Sequence, residues 1–302
     1  MNLRHPRHLR LKNHTAKLSF SYLLKNNIRP MLKHLLFTSL LCLACAVRID
    51  AQSCGNDEKY HLPYKNTYVK EPLVTENEYR VAKPQVITPK SFAEARQILP
   101  NPIWAGHPKE IEMYWRAWEI AVGNIRAPQE GSGFVSSYLD TAYNGNIFMW
   151  DSSFILMFAR YGARFFPFQQ TLDNFYAKQH PDGFICREIK ADGADCFERY
   201  DPVSTGPNLM PWCEMVYFHQ FGDTERLHKI FPALCAYYKW LRLNHTWRNG
   251  MYWSSGWGTG MDNMPRVPEG YSPIYSHGHM IRLDTNLQPR FTAHLLLQLG
   301  LY

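Results

Sequence analysis

The spacing of apolar residues after residue 110 predicts a succession of α-helices. Along 112–125, apolar side chains recur three and four residues apart and so fall on one face of a helix. Gly222 ends another predicted helix, and Asp223 offers its carboxylate to the first N–H groups of the next one. The predicted helices are 112–125, 152–164, 168–179, 209–221, 224–243 and a last one from about residue 284 to the end.

The helix predicted at 152–164 is apolar on almost every side, so we expect it to be buried. Strand-forming runs are rare after residue 110, and long aromatic loops separate the helices. Hairpins of similar size, with these loops recurring on one side, favour a toroid of helices over a four-helix bundle. The predicted fold class is all-α, a toroid of helices. Because the run 295–302 is apolar and uncapped, we expect only about the first half of that toroid here.

The N-terminal part of the chain divides into segments of different composition. Residues 1–30 are basic, and they either form a long leader or precede a true start at Met31. Residues 31–51 predict a signal peptide, with an apolar run too short to cross a bilayer comfortably and a cleavage point after Ala51. Residues 52–108 are polar and rich in Pro and Lys, which predicts an extended lead-in to a domain at 109–302.

These segments predict an exported protein, periplasmic or extracellular, without a stable membrane span. Lipid attachment at Cys45 is the less favoured alternative, because Cys42 stands where lipidation signals usually carry Leu. If export and cleavage occur, five cysteines remain, and Cys186 and Cys196, which flank a polar loop, are the expected disulfide pair. Cys213 and Cys235 lie in apolar helical runs and are expected to be buried thiols.

The formal charge of +7 does not indicate nucleic-acid binding, because of where the charge lies. Seven of the 33 Lys and Arg residues are in residues 1–30, which contain no acid, so residues 31–302 carry 26 basic and 26 acidic side chains. The body of the protein therefore has no excess of positive charge with which to attract phosphates. The sequence also has no Cys-x-x-Cys or His-Glu-x-x-His pattern, and we predict neither a metal nor a cofactor.

The segment 252–266 carries the strongest indication of chemistry. It combines two Trp, three Gly and the single carboxylate of Asp262, and the density of Gly with Pro265 predicts an ordered loop. Aromatic rings such as that of Trp257 stack on the apolar faces of a sugar, and partial burial raises the pKa of a carboxyl so that it can donate a proton. The alternative is a surface turn in which Asp262 caps a local N–H.

Three motifs in order along residues 110–302 resemble a known family. They are Phe148-Met-Trp150-Asp151-Ser-Ser-Phe154, then the segment from Asn174 to Glu188, then Ser255-Gly-Trp-Gly-Thr-Gly-Met-Asp262-Asn263-Met-Pro-Arg266. Together they resemble the catalytic domain of glycoside hydrolase family 63 and its relatives, which include mannosylglycerate hydrolases and, more distantly, trehalases. The resemblance implies an (α/α)6 barrel that hydrolyses an α-glycosidic bond with inversion of configuration.

The resemblance also implies roles for individual residues. Asp262 falls at the position of the general acid, and Asn263 and Arg266 belong to the same loop motif. Trp150 and Asp151 would line the sugar pocket, and Arg187 and Glu188 would help to bind the sugar. Asn208 follows Pro207 where relatives often carry Gln-Pro-Pro, so this subsite is a departure from the family pattern. The general base of the relatives is a Glu that would lie beyond residue 302, so we expect this chain alone to be inactive.

Each of these residues also has a structural interpretation. Asp151 is a possible N-cap of the helix that follows it, and Trp257 is a possible packing residue. Arg187 and Glu188 could pair with each other or with Lys190, and Arg266 could hold its own loop.

Two other functions remain open at this stage. One is a non-catalytic carbohydrate-binding protein on the same toroid, and the other is a polysaccharide lyase. A lyase favours a Tyr or His base with several cationic neighbours, whereas the segment around Asp262 offers one Arg and no His before His277. In each case the partner is an oligosaccharide or a small glycoside.

Overall fold

The computed structural model describes residues 69–261, residue 270 and residues 279–302. This part of the chain is mainly helical, and its strands are short. The α-helices are α1 Phe92–Ile98, α2 Pro108–Gly123, α3 Met149–Ala159, α4 Asp173–Ala177, α5 Met210–Phe221, α6 Thr224–Asn244 and α7 Leu283–Leu299. Turns of 3-10 helix occupy Pro72–Glu76, Glu78–Val81, Arg160–Gly162, Phe168–Leu172 and Gly256–Thr259.

The described strands form three antiparallel pairs of two residues each. Strand β1 (Ile125–Arg126) pairs with β2 (Tyr138–Leu139), β3 (Ile147–Phe148) with β4 (Glu188–Ile189), and β5 (Trp253–Ser254) with β6 (Met280–Ile281). These pairs connect loops that lie beside the helices, and none of them forms a separate sheet layer. The mainly helical structure agrees with the predicted all-α class, whereas the closed toroid stays a prediction.

Helix α6 follows its sequence signals closely. Gly222 ends α5 in the left-handed region with φ of +66°, a conformation that a residue without Cβ adopts freely. Asp223 is the N-cap of α6, and its Oδ1 accepts a hydrogen bond of 2.9 Å from the Arg226 N–H. Pro232 lies inside α6, and the helix continues through it to Asn244. The expected caps are therefore confirmed.

Helix α3 differs from the helix expected at 152–164. It begins earlier, directly after β3, and is followed by the 3-10 turn Arg160–Gly162. Leu156 and Ala159 are fully buried, but the side chains of Phe154 and Tyr161 are 45% and 53% exposed. The expectation of burial on every side is wrong because α3 packs on one side only, against α5 and the 3-10 turn Phe168–Leu172.

The described part of the lead-in, residues 69–107, is packed against the domain. Asn77 Nδ2 donates hydrogen bonds of 2.9 Å to Tyr176 O and to Gln179 Oε1, and Gln85 forms a parallel bridge with Ser136. This segment is not extended throughout, because it contains helix α1. At the start of α1, Ser91 forms a capping box, in which its side chain and that of the third helical residue each bond the other's backbone N–H.

The core lies between α2, α3, α5, α6 and α7 and is rich in aromatic side chains. Helix α3 packs on α5, and α6 and α7 pack on each other and on α5. A buried ion cluster ties these elements together: the Arg226 guanidinium bonds Glu214 Oε1 at 2.7 Å and Asp173 Oδ1 at 2.9 Å. Tyr176 OH donates to the same Glu214 carboxylate at 2.9 Å, so this buried charge is satisfied.

Candidate functional site

A cleft of about 290 Å³ lies where Ala142, in the loop between β2 and β3, meets four other segments of the chain. This volume is at the lower end of the range of small-molecule sites, roughly 300–1,000 Å³. The cleft joins the start of α3, the residue before β4, the segment 205–208 and the glycine-rich loop, by which we mean residues 255–261. Its lining includes Ala142, Phe148, Met149, Trp150, Asp151, Arg187, Gly206, Pro207 and Gly260.

The β3–β4 pair brings Trp150 and Asp151 next to Arg187. Phe148 pairs with Glu188 in this ladder, and the Met149 N–H donates to Arg187 O at 2.8 Å. Because α3 starts at Met149, the first turn of the helix emerges beside the residue that precedes β4. Residues about 37 positions apart in the sequence thus share one cleft because two short strands pair.

Arg187 is held in place by contacts along its whole length. Its backbone N–H donates to Ser204 O at 2.9 Å, and its Nε donates to Val203 O at 2.7 Å. The guanidinium carbon lies 4.3 Å from the centre of the Phe197 ring, a distance at which the cation is attracted to the ring face. Few rotamers remain available to this side chain, so its charge is presented to the cleft in a fixed place.

Asp151 is the third residue of α3, and its side chain is exposed. The N-cap of the helix is Phe148, so the interpretation of Asp151 as the cap is wrong. A carboxylate in the first turn is favoured by the partial positive charge of the helix N-terminus. Asp151 therefore lines the cleft from a position where its negative charge is stabilised.

The glycine-rich loop reaches the cleft at Gly260. A Cβ at this position would lie 3.1 Å from Trp150 Cδ2 and 3.3 Å from Pro207 Cγ, and φ is +69°. Both the close approach and the positive φ favour glycine. Gly258 likewise lies against the segment 205–208, since its Cβ would be 3.0 Å from Thr205 O. The loop that leads into Asp262 is thus packed directly on Trp150 and Pro207.

The chain is similar to a known family. A family described as "Mannosylglycerate hydrolase MGH1-like glycoside hydrolase domain" matches residues 144–290, which include β3, α3, β4 and the glycine-rich loop. The similarity thus covers the segments that form the cleft around Trp150. No curated protein and no solved structure matches the chain.

The cleft contains three of the residues predicted from the sequence: Trp150, Asp151 and Arg187. Glu188 directly follows Arg187 and is the first residue of β4. Its Oε1 accepts a hydrogen bond of 2.9 Å from Asn146 Nδ2. Successive side chains of a strand point to opposite faces, which explains why Glu188 does not share the cleft with Arg187. A sugar-binding role for Glu188 remains a prediction.

Several other predicted site residues are not in the described cleft. Asn208 is buried and belongs to the lining of a second, smaller cavity of about 40 Å³ between α6 and α7. Asp262, Asn263 and Arg266 lie outside the described residues, as does the side chain of Trp257. The roles assigned to these residues therefore stay predictions.

Sequence reasoning missed the cleft residues that have no reactive group. Ala142, Phe148 and Met149 line the cleft and carry no catalytic signal. Gly260 had a signal, since a glycine repeated within an aromatic loop marks a close approach of the backbone to another group. Pro207 appeared in the sequence only as part of a departure from the family pattern.

The cysteines among the described residues are free thiols. The Cys196 N–H donates to Glu188 O, so Glu188 stands opposite Cys196 and Cys186 is displaced by two residues along the strand. The expected Cys186–Cys196 disulfide is therefore not formed in this structure. Burial is the main cause that raises the pKa of the Cys186 thiol, to about 11, and such a thiol is a weak nucleophile.

Within the ranges described, no group of three or more His, Cys, Asp or Glu side chains is arranged to hold a metal ion. The helices in these same ranges include none that is long and apolar enough to cross a bilayer.

Proposed function

We propose that this protein hydrolyses an α-glycosidic bond of an oligosaccharide or small glycoside, with inversion of configuration. One observation carries the proposal: the segment matched by the glycoside hydrolase family contains a cleft in which Trp150, Asp151 and Arg187 meet the loop that leads into Asp262. We further propose that the helices belong to an (α/α)6 toroid and that the protein is exported by means of residues 31–51.

Trp150 is proposed to hold one face of the sugar ring. Its indole packs at right angles to Phe154, with ring centres 4.9 Å apart and planes at 68°, and it also contacts Gly260. An indole fixed on two sides offers a rigid apolar surface at low entropic cost. The hydrophobic faces of a pyranose fit such a surface, and the ring hydroxyls are left for polar partners.

Asp151 and Arg187 are the proposed polar partners of the sugar hydroxyls. One side chain accepts hydrogen bonds and the other donates them, and bonds that involve a charged group are about twice as strong as neutral ones. Their separate anchors, the first turn of α3 and the carbonyl of Val203, fix the two charges before the substrate arrives. Preorganised groups of this kind give specificity without a cost for reorganisation.

Asp262 is the proposed general acid. It follows Gly260 by two residues, a span of at most roughly 7 Å, so its carboxyl is expected at the same cleft. A general acid must be protonated at working pH, which requires a raised pKa, and inversion requires a second carboxylate about 6.5–9.5 Å away to activate water. The family resemblance assigns that second carboxylate to no residue of this chain.

The test of catalysis is the effect of Asp262→Asn on the rate at which the protein hydrolyses an α-glycoside. We expect kcat to fall by about 10²–10⁴, because the leaving oxygen is no longer protonated. The matched control is Glu225→Gln, which changes an exposed carboxylate on α6 and should leave kcat unchanged. Proton NMR of the first product should show the anomer opposite to that of the substrate. Full activity of Asp262→Asn, or a retained anomer, would overturn the assignment.

Binding provides a second test that does not require turnover. Calorimetric titration of the 302-residue chain with an α-linked disaccharide should give an affinity that Trp150→Ala lowers by at least about tenfold, since an aromatic anchor is worth more than 1 kcal/mol. Trp104→Ala is the control, because Trp104 is an exposed tryptophan stacked on His107 at 4.0 Å. Equal losses in the two variants would refute a specific role for Trp150. Export is checked by N-terminal sequencing, which should begin at Gln52.

A further inference from the structure

The side chain of Arg187 is held by one short stretch of the chain, residues 197–204, which we call the support turn. Phe197, at the start of this turn, lies 4.3 Å from the guanidinium carbon, and Val203 O accepts the hydrogen bond of 2.7 Å from Nε. Ser204 O, at the end of the turn, accepts the backbone N–H of Arg187 at 2.9 Å. The place of the Arg187 charge in the cleft therefore depends on where the support turn lies.

Arg199 anchors the support turn to the helical body. Its carbonyl accepts a hydrogen bond of 2.9 Å from the Ser204 hydroxyl, which closes the turn on itself. Its Nη1 lies 3.2 Å from Asp182 Oδ2, and the two side chains are only 16% and 6% exposed. The same carboxylate oxygen accepts a hydrogen bond of 3.0 Å from Trp240 Nε1, near the end of α6. A continuous set of polar contacts thus runs from α6 through Asp182 and Arg199 to the support turn.

The burial of this ion pair favours a role in conformation over a role in stability. Removing two charges from water costs free energy that their attraction often only just offsets, so such pairs are weak contributors to stability, and in some proteins they select one conformation. A hydrophobic contact has no preferred direction, whereas the pair aligns the turn with a single carboxylate.

We propose that Arg199 and Asp182 are positioning residues for Arg187. Their ion pair holds the support turn, and the turn holds the guanidinium that meets the sugar. Neither residue belongs to the described lining of the cleft, so both act through Arg187 and not on the substrate. The effect on sugar binding rests on the proposed function of Arg187, whereas the effect on the Arg187 side chain does not.

The primary test is the exchange with water of the Arg187 Nε–H, measured by nitrogen-15 NMR on the 302-residue chain without substrate. Its signal is identified by its loss in Arg187→Lys. In Arg199→Met, which removes the charge and keeps an unbranched side chain, exchange should be about fivefold faster, the factor that one weakened hydrogen bond gives. In Arg199→Lys it should stay within about twofold of the native rate, because a point charge can replace the single contact with Asp182.

A destabilised control separates positioning from a general effect on the fold. Asp223→Ala removes the N-cap of α6, at the opposite end of that helix from Trp240, and should leave the Nε–H exchange unchanged. We expect Arg199→Met to fold, because Asp182 keeps the N–H donors of Trp240 and Phe184. Native exchange in Arg199→Met would overturn the proposal, and so would equal acceleration in Arg199→Lys or in Asp223→Ala.

Sugar binding provides a second readout, by calorimetric titration with an α-linked disaccharide. Arg199→Met should weaken binding about fivefold in the native background and by less than about twofold in an Arg187→Met background, because two residues that act through one contact are not additive. Equal losses in the two backgrounds would overturn the proposal.

The kinetics of α-glycoside hydrolysis distinguish positioning from a structural role. Arg199→Met should raise KM about fivefold and leave kcat within about twofold, since a binding contact is weakened. A purely structural role would lower the active fraction, and hence the apparent kcat, at an unchanged KM, and that result would overturn the proposal. If the native chain neither binds nor hydrolyses an α-glycoside, the proposed function fails, while the Nε–H exchange still decides whether the ion pair positions Arg187.

Discussion

His245 makes the stability of this fold depend on pH in a way that the structure quantifies. It follows the last turn of α6, where its N–H donates to Leu241 O at 2.8 Å, and its ring stacks on Trp253 with centres 4.2 Å apart. Burial lowers the pKa of the imidazole from 6.5 to about 4; a backbone hydrogen bond with Trp253 opposes this shift, and the charge of His279 adds to it. Folding therefore keeps His245 neutral at a pH where the unfolded chain protonates it.

The sign and size of the effect follow from the two pKa values. A histidine whose pKa is depressed by folding contributes its full stability above the unfolded pKa, and this contribution is lost as the pH falls towards the folded pKa. Between about pH 7.5 and about pH 5, the loss is about 2 kcal/mol, because each unit of pKa shift corresponds to about 1.4 kcal/mol. A loss of this size is a large fraction of the free energy of unfolding of a typical domain, which is roughly 5–15 kcal/mol.

The assay is urea unfolding of the 302-residue chain, followed by circular dichroism at both pH values. In His245→Phe, which keeps an aromatic ring beside Trp253, the fall in unfolding free energy between the two pH values should be about 2 kcal/mol smaller than in the native chain. The control is His228→Gln, at an exposed position of α6, which should show the native pH dependence. Equal pH dependence in the native chain and His245→Phe would refute the reasoning.

Three further substitutions have defined expectations. Arg226→Leu should lower the free energy of unfolding in urea by about 3–5 kcal/mol, because it leaves the Glu214 carboxylate buried without its cation. The control is Lys229→Met, which removes a surface ion pair, and a smaller loss in Arg226→Leu than in this control would contradict the prediction. Gly183→Ala should cost more than about 1 kcal/mol, measured as a lowered melting temperature, since φ is +98° and a Cβ would lie 2.5 Å from Ala236 O. Ser91→Ala should cost about 1 kcal/mol through loss of the α1 cap, detectable as faster hydrogen exchange confined to α1; uniform acceleration would argue against a local effect.

The sequence predicted those elements whose signals are local. The caps of α6 and the left-handed Gly222 could be predicted because a side chain or a missing Cβ satisfies its own neighbouring backbone. The start of α3 was misplaced because a strand pair, and not a cap, sets it: Phe148 is held by Glu188, which is far along the chain. The sides of α3 that would be exposed could not be predicted either, since an almost wholly apolar helix carries no pattern that distinguishes one side from another.

Some residues of the candidate site could likewise be predicted from the sequence, and others could not. Trp150, Asp151 and Arg187 could be predicted as site residues because the order of motifs resembles a glycoside hydrolase family, and the structure places all three in one cleft. Asn208 was also selected, yet it does not line this cleft and its side chain is buried. The sequence distance between Asn208 and the other three residues contains no information about which of them would share a cleft.

The amino-acid pattern was sufficient to predict the helical class, the helix ends that carry caps, and the similarity of residues 144–290 to a glycoside hydrolase family. Each of these depends on interactions between residues close in the chain or on the order of motifs. The tertiary structure decided which side chains share the cleft, why Gly260 is a glycine, and that Cys186 and Cys196 do not face each other across the hairpin. Those outcomes depend on the register of two-residue strands and on contacts between loops that are distant in the sequence, and neither can be deduced from the local pattern of residues.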